Sequence, residues 1–391
     1  MGRPCAQGRP TCNIVGEFMS TQGEIRKTPL DWLVATFGRL AVSIVIPIVV
    51  FGVMILGFQW LRAQTPSSNT QKALLSLVAI VWGVGGTALL YVVMNFVVES
   101  LPPNLMRLLQ PYVFVGPAMA ILGWYLAVPT IRTFWLSLHD RTGEKFVGLS
   151  NYVAVFTERA MFEAFRNNLL WILFGATFTV VFGLIIAVLA DRSRFENIAK
   201  SLIFMPMAIS MVGAGVIWNF IYEVRDINSP QIGLLNAIVV ALGGEPQAWT
   251  ALIQPWNNLF LIVVMIWMQT GFAMVIFSAA IKGIPDELLE AARVDGANEL
   301  QVFFRIMLPY ISGTIITVLT TVVIFALKIF DIVQVMTGGQ FGTHVIATQF
   351  YRQAFTNQNK GYASAIAIVL LITVIPVMIY NLRHFSEEEA F

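Results

Sequence analysis

Long apolar runs alternate with shorter polar segments along most of the chain. Each run has about 20 residues or more, which is the length a helix needs to cross about 30 Å of hydrocarbon. None shows the strict two-residue alternation that barrel strands require. The runs lie at residues 40–61, 73–98, 113–138, 169–190, 202–222, 259–281, 310–336 and 363–382. The pattern predicts an all-α polytopic membrane protein with about eight transmembrane helices.

Composition and charge agree with this class and exclude others. Hydrophobic residues make up 57% and charged residues 12% of the 391 positions, against about 45–50% and about 25% in soluble domains. Such a composition excludes an ordinary soluble protein and a disordered chain. The net charge of +2 gives no basic field for binding a nucleic acid. The cysteines, Cys5 and Cys12, are interpreted as free thiols of the N-terminal tail.

The distribution of Lys and Arg predicts which side of the membrane each loop faces. If the N-terminus is cytoplasmic, the inner segments carry 13 basic residues and the outer loops carry 9. Both termini are therefore predicted to be cytoplasmic, because inner loops are enriched in Lys and Arg. The chain would then consist of a cytoplasmic tail (1–34), two extra N-terminal helices (35–98), a six-helix core (112–382) and a C-terminal tail (383–391). The true start is either Met1 or Met19.

The predicted cytoplasmic loop at 282–309 carries the signals of two short helices. Pro285 suits the first turn of a helix, and Gly296 suits its end because glycine adopts a left-handed conformation at little cost. Asn298 suits the cap of a second helix, with Gln301 three residues later as its capping-box partner. Both helices are too apolar to stand free in water. The loop is either an interfacial amphipathic segment or a docking element for a cytosolic partner.

The same loop resembles the EAA signature of ABC importer permeases. The signature positions are occupied by Glu290, Ala291, Ala292, Gly296, Ile306, Leu308 and Pro309. The resemblance covers about residues 113–382 and implies a type I ABC importer permease fold, in which 282–309 is the coupling loop. The two extra helices resemble the larger subunit of maltose-type carbohydrate importers. The stretches that resemble the α-glucoside and glucosylglycerol permease branch are 146–152, 192–220, 231–247 and 328–339.

The resemblance implies a bacterial inner-membrane transport subunit that works with several partners. These are a second permease subunit in a heterodimer, an ATPase dimer that receives the coupling loop, and an extracytoplasmic solute-binding protein. The implied solute is a small carbohydrate or glucoside osmolyte such as glucosylglycerol, trehalose, sucrose or another α-glucoside. The sequence has no G-x-x-x-x-G-K-[ST] motif for phosphate binding. The chain is therefore expected to be no enzyme and to hold no cofactor or metal, since ATP and Mg²⁺ would be bound by the ATPase subunits.

Polar and aromatic residues in the sixth and seventh runs are the candidates for a solute path, because polar groups inside a membrane are costly. They are Gln269, Phe272, Phe325, Lys328 and Asp331. The resemblance adds Ile329 to these candidates, because Gln269, Phe272, Phe325 and Ile329 occupy positions of solute contact in the family. Lys328 and Asp331 are three residues apart, which predicts neighbours on one helix face, as a structural ion pair or as solute contacts. At positions where the maltose permease has sugar-binding asparagines, this chain has Met265, Ala326 and Ile329. Either this subunit or its partner would hold the solute.

Two other classes of membrane protein compete with this interpretation. An ion-coupled secondary transporter is the open alternative, although it favours several carboxylates at the midplane and Asp331 is the one deep candidate. A membrane haem protein needs pairs of histidines within spans. The histidines are His139, His344 and His384, and all three lie outside the centres of the apolar runs, so this class is excluded.

Overall fold

The computed structural model describes residue 45 and residues 48–64, 68–99 and 103–388. The predicted tail at 1–34, the first part of the run at 40–61 and residues 389–391 lie outside the described residues. The described part is mostly helical, and its only β-type pairing is a bridge between His139 and Phe146. The chain divides into two compact units, Met1–Ala127 and Val128–Phe391.

The first unit contains three apolar helices and ends in a π-helical turn. The helices are α1 (Ile48–Ala63), α2 (Asn69–Glu99) and α3 (Pro103–Leu122), and the turn is Gly123–Ala127. Glycines lie where α1 and α2 meet. A Cβ atom on Gly86 would lie 2.8 Å from the Met54 side chain, and one on Gly57 would overlap the Trp82 indole. These helices therefore approach closely through small residues, as is usual within membranes.

The second unit contains fifteen further helices in its described residues. They are α4 (Val128–Ser137), α5 (Ser150–Thr157), α6 (Arg159–Leu170), α7 (Thr177–Asp191), α8 (Glu196–Phe204), α9 (Met211–Tyr222), α10 (Leu234–Ala241), α11 (Trp256–Lys282), α12 (Asp286–Val294), α13 (Glu299–Val302), α14 (Leu308–Tyr310), α15 (Ser312–Leu327), α16 (Asp331–Met336), α17 (Ile346–Tyr351) and α18 (Lys360–Glu388). Short π-helical segments join α6 to α7 and α13 to α14.

The number of apolar helices agrees with a polytopic membrane protein. Five helical segments are long and apolar enough to cross a membrane, and two bent helix pairs raise the number to seven within the described residues. The first predicted run corresponds to α1, which is a shorter apolar helix. The predicted all-α polytopic architecture is thereby confirmed.

The predicted span at 202–222 is broken and bent by 102°. α8 leads into a 3-10 turn that contains Pro206, and Ile209 and Ser210 are then extended. Proline has no N–H to continue the helical hydrogen-bond ladder. The new helix, α9, starts because the Ser210 hydroxyl accepts a hydrogen bond from the Gly213 N–H.

The predicted span at 310–336 is also not a single helix. A bend of 69° precedes α15, and α15 ends at Leu327 before α16 begins at Asp331. Phe330 between them has φ −140°, which is not helical. The prediction that Lys328 and Asp331 share one helix face is therefore wrong: they lie on either side of a break, with Lys328 exposed and Asp331 half-buried.

The core of the second unit is organised around α11. More than a third of its residues are buried, including Leu261, Met265 and Phe277. Small residues bring α7 against it, since a Cβ on Gly183 would lie 2.5 Å from the Ala273 Cβ. α11 has 27 residues and is therefore about 40 Å long. Its two ends carry different groups, which define the candidate sites.

Candidate functional site

The signature loop after α11 is built around a glycine turn. α12 runs from Asp286 to Val294, and Pro285 is its N-cap residue rather than part of its first turn. Gly296 has φ +83°, in the left-handed region that glycine adopts without steric cost. The Gly296 N–H bonds to the Arg293 carbonyl at 3.1 Å, and the Ala297 N–H bonds to the Ala292 carbonyl at 3.0 Å. This pair of bonds is the Schellman motif that ends a helix sharply.

The second half of the loop has the predicted cap. The Asn298 side chain accepts a hydrogen bond from the Gln301 N–H at 2.8 Å, and the Gln301 side chain accepts one from the Asn298 N–H at 2.9 Å. This reciprocal capping box starts α13. The chain then passes through a π-helical segment, Phe303–Met307, into α14, which contains Pro309.

The signature residues divide into a packed set and an exposed set. Ala292 is buried in a small hydrophobic cluster, and Ile306 and Leu308 are half-buried. The residues exposed at the surface are Glu290, Ala291, Gly296 and Pro309. Large apolar side chains lie beside them without cover, with Val294 87% and Phe304 60% exposed. The loop therefore packs on the helix ends through one face and leaves a partly apolar face open.

Ion pairs attach the loop to the end of α7. Arg192 directly follows α7, and its Nη2 lies 2.6 Å from Glu299 Oε2. The other carboxylate oxygen, Glu299 Oε1, lies 3.1 Å from Arg293 Nε at the end of α12. One carboxylate thus links α7, α12 and α13. Each pair is half-exposed, so it orients the loop more than it stabilises the fold.

A second ionic cluster lies deeper at the same end of α11. The Lys200 ammonium contacts Asp191 and lies 2.6 Å from Glu196 Oε1, and Lys282 also contacts Glu196. The Ser278 hydroxyl donates to the Asp191 carboxylate at 2.7 Å. α7, α8 and α11 are therefore joined by charge-assisted hydrogen bonds at the base of the signature loop.

The candidate solute-path residues are only partly brought together. Phe272 and Phe325 are half-buried and pack on one hydrophobic cluster, in which Ile329 is buried. Met265 and Ala326 are fully buried in the same cluster, so it offers apolar surface at these positions. Gln269 is half-buried on α11 as well, whereas Lys328 and Asp331 lie at the break. The roles of these six residues remain predictions.

At the opposite end of α11, a buried asparagine holds the break after α15 in place. Asn168 on α6 is 2% exposed. Its Nδ2 donates to the Leu327 carbonyl at 3.1 Å and to the Ala326 carbonyl at 3.4 Å. Its Oδ1 accepts a hydrogen bond from the Ile346 N–H at 2.8 Å. One carboxamide therefore bonds both the end of α15 and the start of α17, where helix termini leave backbone groups unpaired.

Two neighbouring asparagines fix the loop that connects α16 to α17. Asn167 Nδ2 donates to the Gly342 and His344 carbonyls, each at 2.7 Å, and Asn257 Nδ2 donates to the Phe341 carbonyl at 2.7 Å. Both asparagines are fully buried. Sequence analysis missed this cluster. The signal available in the sequence was two pairs of adjacent asparagines, each directly before an apolar run. The pairs are Asn167–Asn168 and Asn257–Asn258.

Comparison with known proteins places the chain among transport components. Residues 179–384 match the family described as "Binding-protein-dependent transport system inner membrane component". The chain is 53% identical over 281 residues to the alpha-glucoside transport system permease protein AglF of Rhizobium meliloti (strain 1021), covering 72% of this chain and 83% of AglF. It is also 53% identical over 276 residues to the osmoprotective compounds uptake permease protein GgtC of Synechocystis sp., covering 71% of this chain and 99% of GgtC.

A solved structure shows the same fold. The chain resembles one subunit of a bacterial alginate ABC transporter, crystallised in complex with an alginate pentasaccharide-bound periplasmic protein. The TM-score is 0.62 at 21% identity, and the match covers 71% of this chain and 94% of that subunit. The architecture is therefore the type I importer permease fold.

Proposed function

Because the chain belongs to the family of binding-protein-dependent transport system inner membrane components, we propose that it is the larger permease subunit of a carbohydrate ABC importer. The chain is a multi-pass inner-membrane protein and a transport component. The solute that we propose is a small carbohydrate or glucoside osmolyte, such as glucosylglycerol, trehalose, sucrose or another α-glucoside. Two relatives support this choice, since AglF is named for α-glucosides and GgtC for osmoprotective compounds.

The observation that carries the coupling proposal is the open face of the signature loop. Val294 and Phe304 are large apolar side chains that are mostly exposed on this loop. Exposed apolar surface next to a fixed turn is typical of a docking site. We propose that an ATPase subunit covers this face, with Glu290 and Ala291 at the contact and Gly296 giving the turn. ATP and Mg²⁺ would be bound by that ATPase dimer.

The ionic links described above favour transmission of force from this loop to the helices. Arg192 and Glu299 join the loop to α7, and Lys200 joins α7 to α8. A displacement of the loop by an ATPase dimer would move these helix ends together. We propose that this motion alternates the access of a solute path near Phe272 and Phe325, shared with a second permease subunit. An extracytoplasmic binding protein would deliver the solute, and both termini of this chain would be cytoplasmic.

Transport by the reconstituted complex tests this proposal. The complex of both permeases, the ATPase and the binding protein is placed in liposomes, and uptake of labelled glucosylglycerol is measured with trehalose as competitor. The test variant is Gly296→Asp, which adds a carboxylate to the open face of the loop. The matched control is Gly243→Asp, because Gly243 has φ +82° and no atom within 4 Å of an added Cβ, like Gly296 with φ +83°.

We expect uptake that requires both ATP and the binding protein. It should be lost in Gly296→Asp and retained in Gly243→Asp, since both substitutions carry a similar backbone cost of about 1–2 kcal/mol and only one lies on the signature loop. Uptake by this chain alone, driven by an ion gradient and indifferent to Gly296, would refute the proposal and support a secondary transporter.

A further inference from the structure

A cavity with mixed polar and apolar walls lies beside the loop between α16 and α17, at the end of α11 opposite the signature loop. Its volume is about 520 Å³. A single water occupies about 30 Å³, and small-molecule sites span about 300–1,000 Å³. The cavity therefore has the size of a ligand site. Its walls come from α6, α16 and α17 and from the connecting loop.

Two carboxamides in the cavity wall have no hydrogen-bond partner among the described residues. Gln349 on α17 is only 3% exposed and lines the cavity. Gln334 on α16 is half-buried and lines it as well. The hydrogen bonds that the structure records for both residues are made by their backbone groups, not by their side chains. Neither amide belongs to the buried side-chain groups that lack a partner, so both are accessible from the cavity that they line. They are therefore available to a ligand that supplies donors and acceptors.

The rest of the cavity wall carries one charge of each sign and an aromatic side chain. Glu163 and Arg352 supply one negative and one positive charge, and each also has a neighbour: Glu163 pairs with Arg159, and Arg352 lies 3.4 Å from the His344 ring. The aromatic ring of Tyr351 also lines the wall. Amides, balanced charges and an aromatic ring suit a neutral polyhydroxyl compound better than an ion.

The cavity is held open by a strained and clamped loop. Phe341 has φ +58°, although it is not glycine, and Gly338 and Gly339 are also left-handed. The carbonyl of Phe341 is fixed by the fully buried Asn257. Backbone strain of this kind costs about 1–3 kcal/mol and is concentrated at functional positions. The shape of the wall is thus set by the fold before any ligand arrives.

We infer that this cavity is a second binding site for a neutral carbohydrate or polyol, separate from the solute path near Phe272 and Phe325. Gln349 and Gln334 are its hydrogen-bonding groups. Gln334 lies three residues after Asp331 on α16, so the site adjoins the break that borders the candidate path. This inference rests on the proposed function and adds a second solute-binding site to it.

Equilibrium binding to the purified complex tests this site. Labelled glucosylglycerol and labelled trehalose are titrated against the permease–ATPase complex without the binding protein. The test variants are Gln349→Leu and Gln334→Leu, which remove one amide from α17 and one from α16. The control is Gln353→Leu, since Gln353 lies four residues after Gln349 but bonds Asn357 and is not part of the cavity wall.

We expect saturable binding by the wild type, with Kd raised about tenfold in each test variant and unchanged in the control. Tenfold corresponds to about 1.4 kcal/mol, which is the loss of one or two hydrogen bonds. If either variant fails to assemble, the other gives the answer from a different helix. Wild-type affinity in an assembled test variant overturns the inference, and so does an absence of binding by a wild-type complex that still imports. A wild-type complex without ATP-dependent uptake instead refutes the proposed function.

Discussion

Replacing Asn168 by leucine tests whether one buried carboxamide holds the break after α15. The Asn168→Leu substitution keeps the approximate volume of the side chain but removes all of its hydrogen bonds. The Leu327 carbonyl and the Ile346 N–H then lose the partner that they have in the structure. The Ala326 carbonyl still accepts a bond from the Ile329 N–H. Two buried backbone groups are therefore left without a hydrogen-bond partner, at a cost of about 1–3 kcal/mol each. The free energy of unfolding should fall by about 2–6 kcal/mol.

Thermal unfolding of the purified complex, followed by tryptophan fluorescence, measures this loss. A change of 1 kcal/mol shifts the midpoint of a domain of about 150–250 residues by about 2–4 °C. We therefore expect the midpoint of Asn168→Leu to fall by about 5 °C or more. A midpoint equal to that of the wild type would show that the orphaned groups find other partners and that the assignment of Asn168 is mistaken.

Asn236 provides a matched control for the functional part of this prediction. It is fully buried and also makes three hydrogen bonds, to the Glu223 and Gln247 carbonyls and from the Gln247 N–H. Asn236→Leu should therefore lose comparable stability without touching the break after α15. At a temperature where both variants stay assembled, solute uptake should decrease more in Asn168→Leu. Equal decreases would mean that the break has no special role in transport.

Two further predictions concern charged and titrating groups. Lys200→Met leaves the mostly buried Asp191 carboxylate without its cation, so we expect the free energy of unfolding to fall by about 3 kcal/mol in the melting assay. Lys282→Met removes a half-exposed partner of Glu196 and should lower it by less than about 1 kcal/mol. Equal losses in the two variants would contradict this expectation. Burial, helped by the nearby Arg352, lowers the pKa of His344 below 6.5. Below about pH 6.5 the unfolded chain binds a proton that the folded chain does not. Stability should therefore decrease as the pH is lowered from about 6.5, and it should level off below the folded pKa. His344→Gln should flatten this part of the profile, and an unchanged profile would rule out His344 as its source.

The sequence alone determined the class of this protein and the local structure of the signature loop. Apolar runs of about 20 residues leave little choice in a bilayer, because the backbone must satisfy its own hydrogen bonds and a helix does so within one segment. The turn at Gly296 and the capping box of Asn298 and Gln301 were also predicted correctly. These features depend on residues within one or two helical turns, so short-range patterns carry the information.

Only the tertiary structure decided where the spans break and what holds them. Local pattern suggested a continuous helix through Lys328, because the run stays apolar past that point. The structure ends the helix at Leu327, since Asn168, 159 positions earlier in the chain, satisfies the carbonyl that the break exposes. The cavity lined by Gln349 also joins segments far apart in the sequence. Hydrogen bonds between distant segments leave no periodic signal along the chain, so the fold had to bring these groups together before they could be recognised.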